Sequence, residues 1–74
     1  MRLGKYLSGL TKPELEILQE NLNLTDDELI IFQYLSKGRS QIEVVEVTRL
    51  SIAGVNRRIE NIKCKIRNLN QERS

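Results

Sequence analysis

Histidine is absent from this chain, cysteine occurs once, and no apolar run approaches the roughly 18 residues that a membrane span requires. Each absence removes a class of function. With no histidine and one cysteine, neither a zinc site nor an internal disulfide can be assembled. There is also no Cys/His pair, no phosphate-cradling glycine loop and no metal-binding cluster of carboxylates, so the chain is not expected to be an enzyme or to need a cofactor. The acids fall in the first turns of expected helices, where capping already accounts for them. Cys64 is expected as a tolerated residue on a polar helix face, since a redox thiol needs an activating environment. The start lacks the apolar core of a signal peptide, and the expectation is a cytoplasmic protein with no membrane partner.

What remains fits one small domain. The 74 residues are 39% hydrophobic and 30% charged, which is too apolar for a disordered tail. A chain this short buries only about 60% of its unfolded surface, so its core is small. The net charge of +2 is unevenly spread. Residues 1–36 hold three cations and six acids, whereas residues 37–74 hold nine cations and four acids. A basic half joined to an acidic half is the footprint of a module with one side facing a polyanion.

Two start signals share one grammar. Thr11 and Glu14 form a capping box, Pro13 is tolerated in the first turn, and Leu10 can staple onto Leu15. The helix that follows, 12–22, carries Leu15, Leu18 and Leu22 towards the core. Thr25 and Glu28 repeat the box, with Leu24 able to staple Leu29, and this helix carries Leu29, Phe32 and Leu35 before ending at Lys37-Gly38. Residues 1–10 hold two glycines and few periodic apolar positions, which predicts a loose or partly helical arm.

The most informative stretch is Gly38 to Ile66. Gly38 can take the left-handed conformation that ends one helix, and Ser40 with Glu43 forms a third capping box. Ile42, Val44, Val45, Val47 and Thr48 are β-branched and favour a strand, but they do not alternate cleanly, and the cap favours a short helix. Ser51 is placed to cap a longer one. In that helix Ile52, Val55, Ile59, Ile62, Ile66 and Leu69 recur at spacings of three and four, forming one apolar stripe. Ala53, Asn56, Arg57, Glu60, Asn61, Cys64 and Asn68 lie opposite, with Arg58, Lys63, Lys65 and Arg67 on the flanks. An oily back and a polar, cationic front suit insertion into a DNA major groove.

From Leu24 to Ile66 the chain resembles the LuxR/GerE-type helix-turn-helix domain without needing a gap. The family's opening Leu-Thr, Glu and hydrophobics are matched by Leu24, Thr25, Glu28, Ile31, Phe32 and Leu35. Its Gly-x-Ser-x-x-Glu-Ile-Ala segment is similar to Gly38, Ser40, Glu43, Val44 and Val45. Its Ile-Ser-x-x-Thr-Val segment is similar to Leu50, Ser51, Gly54 and Val55, and Asn61-Ile62 and Lys65-Ile66 follow the later pattern. Region 4 of sigma factors shares much of this. Val45 stands where the family usually has alanine, Gly54 replaces a threonine, and Glu60 occupies a face where a cation is common. The short fourth helix by which such domains often dimerise has no counterpart after Leu69.

The expected architecture is therefore all-α: a compact four-helix domain over 11–69, with a helix-turn-helix and a long recognition helix, between an arm (1–10) and a tail (70–74). The first functional expectation is sequence-specific reading of double-stranded DNA, with Ala53, Asn56, Arg57 and Glu60 at base edges. Arg39, Ser40, Arg49, Ser51, Arg58, Asn61 and Lys63 would hold phosphates, positioning without specifying. The second is a protein-interaction module that binds RNA polymerase or another regulator. A homodimer over a palindrome would use Ile62, Ile66 and Leu69 at the end of the long helix. Ile42 and Val47 are expected either under the 12–22 helix or against a partner.

Overall fold

Four polar side chains start four of the helices. In the computed structural model, which describes residues 2–72 and side chains to Leu69, Thr11 Oγ1 accepts from Glu14 N–H at 3.4 Å, while Glu14 Oε1 accepts from Thr11 N–H at 2.8 Å. This box opens α2, Lys12–Leu22, which Asn23 ends in the left-handed conformation. The backbone and hydroxyl of Thr11 hold the Glu14 carboxyl below its ordinary pKa. Thr25 and Glu28 make the same reciprocal pair, at 3.3 and 3.0 Å, and open α3, Asp26–Ser36. Ser40 caps α4, Gln41–Thr48, by accepting from Glu43 N–H at 3.4 Å. Here the box is only half formed. The Glu43 carboxylate turns to Arg39 at 3.5 Å instead of reaching back to the Ser40 N–H.

The α4 segment is a helix despite its β-branched residues. Burial decides this: Val44 is fully enclosed, Val45 is partly so, and only helical spacing puts these two inward while Glu43 and Glu46 stay at the surface. Gly38, at φ 80°, turns the chain between α3 and α4.

The long helix, α5, is Ile52–Glu72, so 70–72 continue it, and only residues 73 and 74 of the expected tail lie outside the described residues. Its 21 residues span about 32 Å at 1.5 Å each and set the 36 Å long dimension of a body 21 Å across. Ser51 Oγ accepts from Gly54 N–H at 3.0 Å, as a cap should.

The expected N-terminal arm is a fifth helix, α1, Leu3–Ser8, among the described residues. Leu3 and Leu7, four apart and on one side, are both buried against α3. A side chain at Gly4 would stand 3.7 Å from Leu35 Cδ2, which shows how closely α1 approaches. Of the two glycines that suggested looseness, Gly4 lies in that contact. The domain therefore starts at Leu3, eight residues earlier than expected.

Helix α3 is the hub. It touches α1, α4 and α5, and contributes Ile31, Phe32 and Leu35 to the core, with Leu29 only partly covered. From α5 come Val55, Ile59, Ile62 and Ile66. Helix α2 packs on α5, burying Leu22 fully and Leu15 and Leu18 in part. The structure is all-α, and no strand occurs among the described residues.

Candidate nucleic-acid interface

The turn between α4 and α5 is short and tightly bonded. Thr48 Oγ1 donates to Val44 O at 2.7 Å and accepts from Leu50 N–H at 3.3 Å, stopping α4. Arg49 then takes a left-handed conformation, φ 60°, with its N–H on Val45 O at 2.8 Å. That conformation costs a non-glycine residue about 1 kcal/mol, and it leaves the Arg49 side chain exposed. Across the turn, Gln41 Nε2 donates to Asn56 Oδ1 at 3.1 Å, joining the start of α4 to the front of α5.

Along α5 the four expected base-reading residues, Ala53, Asn56, Arg57 and Glu60, are all exposed, and so are Asn61 and Cys64. At about 100° per residue they occupy the side opposite Val55, Ile59, Ile62 and Ile66. One member of the expected stripe does not belong to the core. Ile52 is 61% exposed, because it precedes the first core position by less than a turn and nothing reaches over it.

The two flanks of α5 differ electrically, and sequence periodicity did not separate them. On one, Arg58 Nε lies 3.4 Å from Asp27 Oδ2, and Lys65 bonds the Glu28 carboxylate as well as Asn23 O at 3.4 Å. Burial pushes the Glu28 carboxyl up, but the Lys65 ammonium and the Thr25 N–H and hydroxyl outweigh it and hold the group below its ordinary value. The first turn of α3 thus places two acids on this flank. Arg58, expected on a phosphate, pairs here with Asp27, both side chains being partly exposed. On the other flank stands Lys63, two turns after Asn56 and paired, among the described residues, only with Glu60 at 3.3 Å. Arg39 and Ser40, at the mouth of α4, and Ser51, at the start of α5, are exposed.

The expected dimer contacts have a different place. Ile62 is 0% and Ile66 1% exposed, enclosed by the chain's own helices, and Leu69 packs on the same core beside α2. The additional covering that the stripe needed comes from α2. Conversely, Ile42 and Val47 are 68% and 49% exposed. Helix α2 is spent on α5 and does not cover them, so the intramolecular alternative for these two is not formed.

No family model matches the chain, and neither a curated protein nor a solved structure is detectably similar to it.

Proposed function

We propose that the chain is a sequence-specific double-stranded DNA-binding regulator that lays α5 in the major groove. The observation that carries this reading is the front of α5. A helix anchored along its back by Val55, Ile59, Ile62 and Ile66 presents Ala53, Asn56, Arg57 and Glu60 to solvent, with Asn56 bonded across the turn to Gln41 of α4. The side chains suit base edges: Arg57 a guanine, Asn56 an adenine, Ala53 a thymine methyl, Glu60 a cytosine amino group. Arg39, Ser40, Arg49, Ser51, Asn61 and Lys63 surround them as phosphate contacts. The resemblance to LuxR/GerE-type domains over Leu24 to Ile66 agrees with this arrangement.

Titration of a labelled random duplex by fluorescence anisotropy tests it. Binding at low salt, weakening linearly in log–log form as salt rises, is expected from displacement of counterions. A folded protein that leaves the duplex free at low salt rejects the reading. If the operator is a palindrome, two copies would meet through a surface other than Ile62 and Ile66.

One observation favours a second reading, the protein-interaction module that docks on RNA polymerase or another regulator. Ile42, Val47 and Ile52 are exposed apolar side chains at the ends of the α4–α5 pair, and nothing in DNA recognition needs them. Substituting Ile42 and Val47 with serine leaves duplex binding intact in the first reading.

A further inference from the structure

Between α1, the start of α4 and the middle of α5 lies an open groove of about 460 Å³. Four cations line it: Arg2 and Lys5 from α1 and its cap, Arg39 before α4, and Lys63 from α5. No acid is among its lining residues, and its floor is formed by Leu35 and Ile59. Gln41, whose amide bonds Asn56, stands at its edge.

The cations are held together by the fold and not by partners. Among the described residues, Arg2 and Lys5 have no carboxylate within 4.0 Å. Arg39 and Lys63 each touch one exposed acid of their own segment, Glu43 and Glu60. Surface pairs of this kind are worth little and exchange readily for a stronger anion. The first free N–H groups of α4 lie beside Gln41 and add to the positive potential. Burying Leu3 and Leu7 is what brings Arg2 and Lys5 to this place.

A helix in the major groove runs between two sugar–phosphate strands, so each of its flanks faces a row of phosphates. On α5 one flank already faces two acids, Asp27 beside Arg58 and the buried Glu28 on Lys65. The groove opens on the other, where Asn56 and Lys63 stand about 10.5 Å apart along the axis. We infer that this groove seats the phosphodiester backbone of one DNA strand, and that α1 is therefore part of the binding footprint through Arg2 and Lys5. The inference rests on the DNA-binding reading and names the contact that would anchor it.

The test compares wild type with Arg2→Gln/Lys5→Gln on a preferred duplex and a random one, over a range of salt. Both side chains are exposed, and an unchanged helical spectrum and melting point confirm that the variant folds. The double variant is expected to lose about tenfold or more in affinity on both duplexes alike, with its log–log salt slope shallower by about two. Lys5→Gln alone is expected to change the slope by about one. A double variant with wild-type affinity and slope overturns the inference while leaving DNA binding by α5 standing. Wild type that fails to bind any duplex overturns both. Saturation of wild type by micromolar inorganic phosphate, with duplex affinity unchanged in the variant, assigns the groove to a small free anion and also overturns it.

Discussion

Glu28 reaches from the first turn of α3 to the Lys65 ammonium on α5, while its other contacts close the Thr25 cap. One carboxylate, nearly buried, thus starts a helix and fixes the position of the helix that would read DNA. Its pKa lies below the unfolded value of about 4.3. The stabilisation is therefore present in full above that pH and is lost as pH falls through the folded-state value. Glu28→Gln should cost roughly 1–3 kcal/mol at pH 7, because a charge-assisted bond is lost and Lys65 is left against a neutral amide. At pH 3 the difference from wild type should be much smaller. Urea unfolding at the two pH values measures this, and an equal loss at both contradicts the assignment.

Leu7 and Ile17 give a sharp contrast in stability. Leu7→Ala should cost about 2–5 kcal/mol, since it opens a cavity between α1 and α3. Ile17 is 56% exposed, and Ile17→Ala should remain within about 0.5 kcal/mol. A Leu7→Ala protein that melts like wild type would show that α1 is not part of the cooperative domain.

Arg57 and Arg58 are adjacent in sequence but differ in contacts. Arg57→Ala should cost about 1–3 kcal/mol on the preferred duplex and relax base preference. Arg58 lies on the flank beside Asp27, so Arg58→Ala should weaken binding to all sequences alike without relaxing base preference. Equal losses for the two variants on specific and random DNA would place the reading face elsewhere.

Arg49→Gly separates folding from binding. Relief of the left-handed backbone and the greater freedom of glycine when unfolded nearly offset, so stability should stay within about 0.5 kcal/mol. Affinity should fall uniformly across sequences, with the salt slope shallower by about one. Sequence-selective loss would mean that Arg49 touches a base.

Capping chemistry was the legible part of the fold. Thr11, Thr25 and Ser51 each bond the N–H that their spacing to the next turn predicts. The stripe of α5 was legible from Val55 to Ile66 for the same local reason. Helix α1 was not, because Leu3 and Leu7 supply just two periodic positions, and their burial depends on packing against the distant α3. Periodicity also counted Ile52 as core, since spacing cannot tell where a neighbouring helix stops. Within the candidate site, exposure of Ala53, Asn56, Arg57 and Glu60 followed from helical phase. That Arg58 and Lys65 face acids required knowing where α3 begins in space.

Helix α4 has a consequence for the unfolded chain. The segment Gln41–Thr48 is helical because Val44 is enclosed and Ser40 caps it, not because of its composition. Released from the domain, Ile42, Val44, Val45 and Val47 return to their extended preference, the pattern from which cross-strand association between chains nucleates. Glu43 and Glu46 interrupt that run and give every copy of the segment the same negative charge, so stacked strands repel. These two glutamates, peripheral to the folded core, are expected to oppose such association while the chain is unfolded.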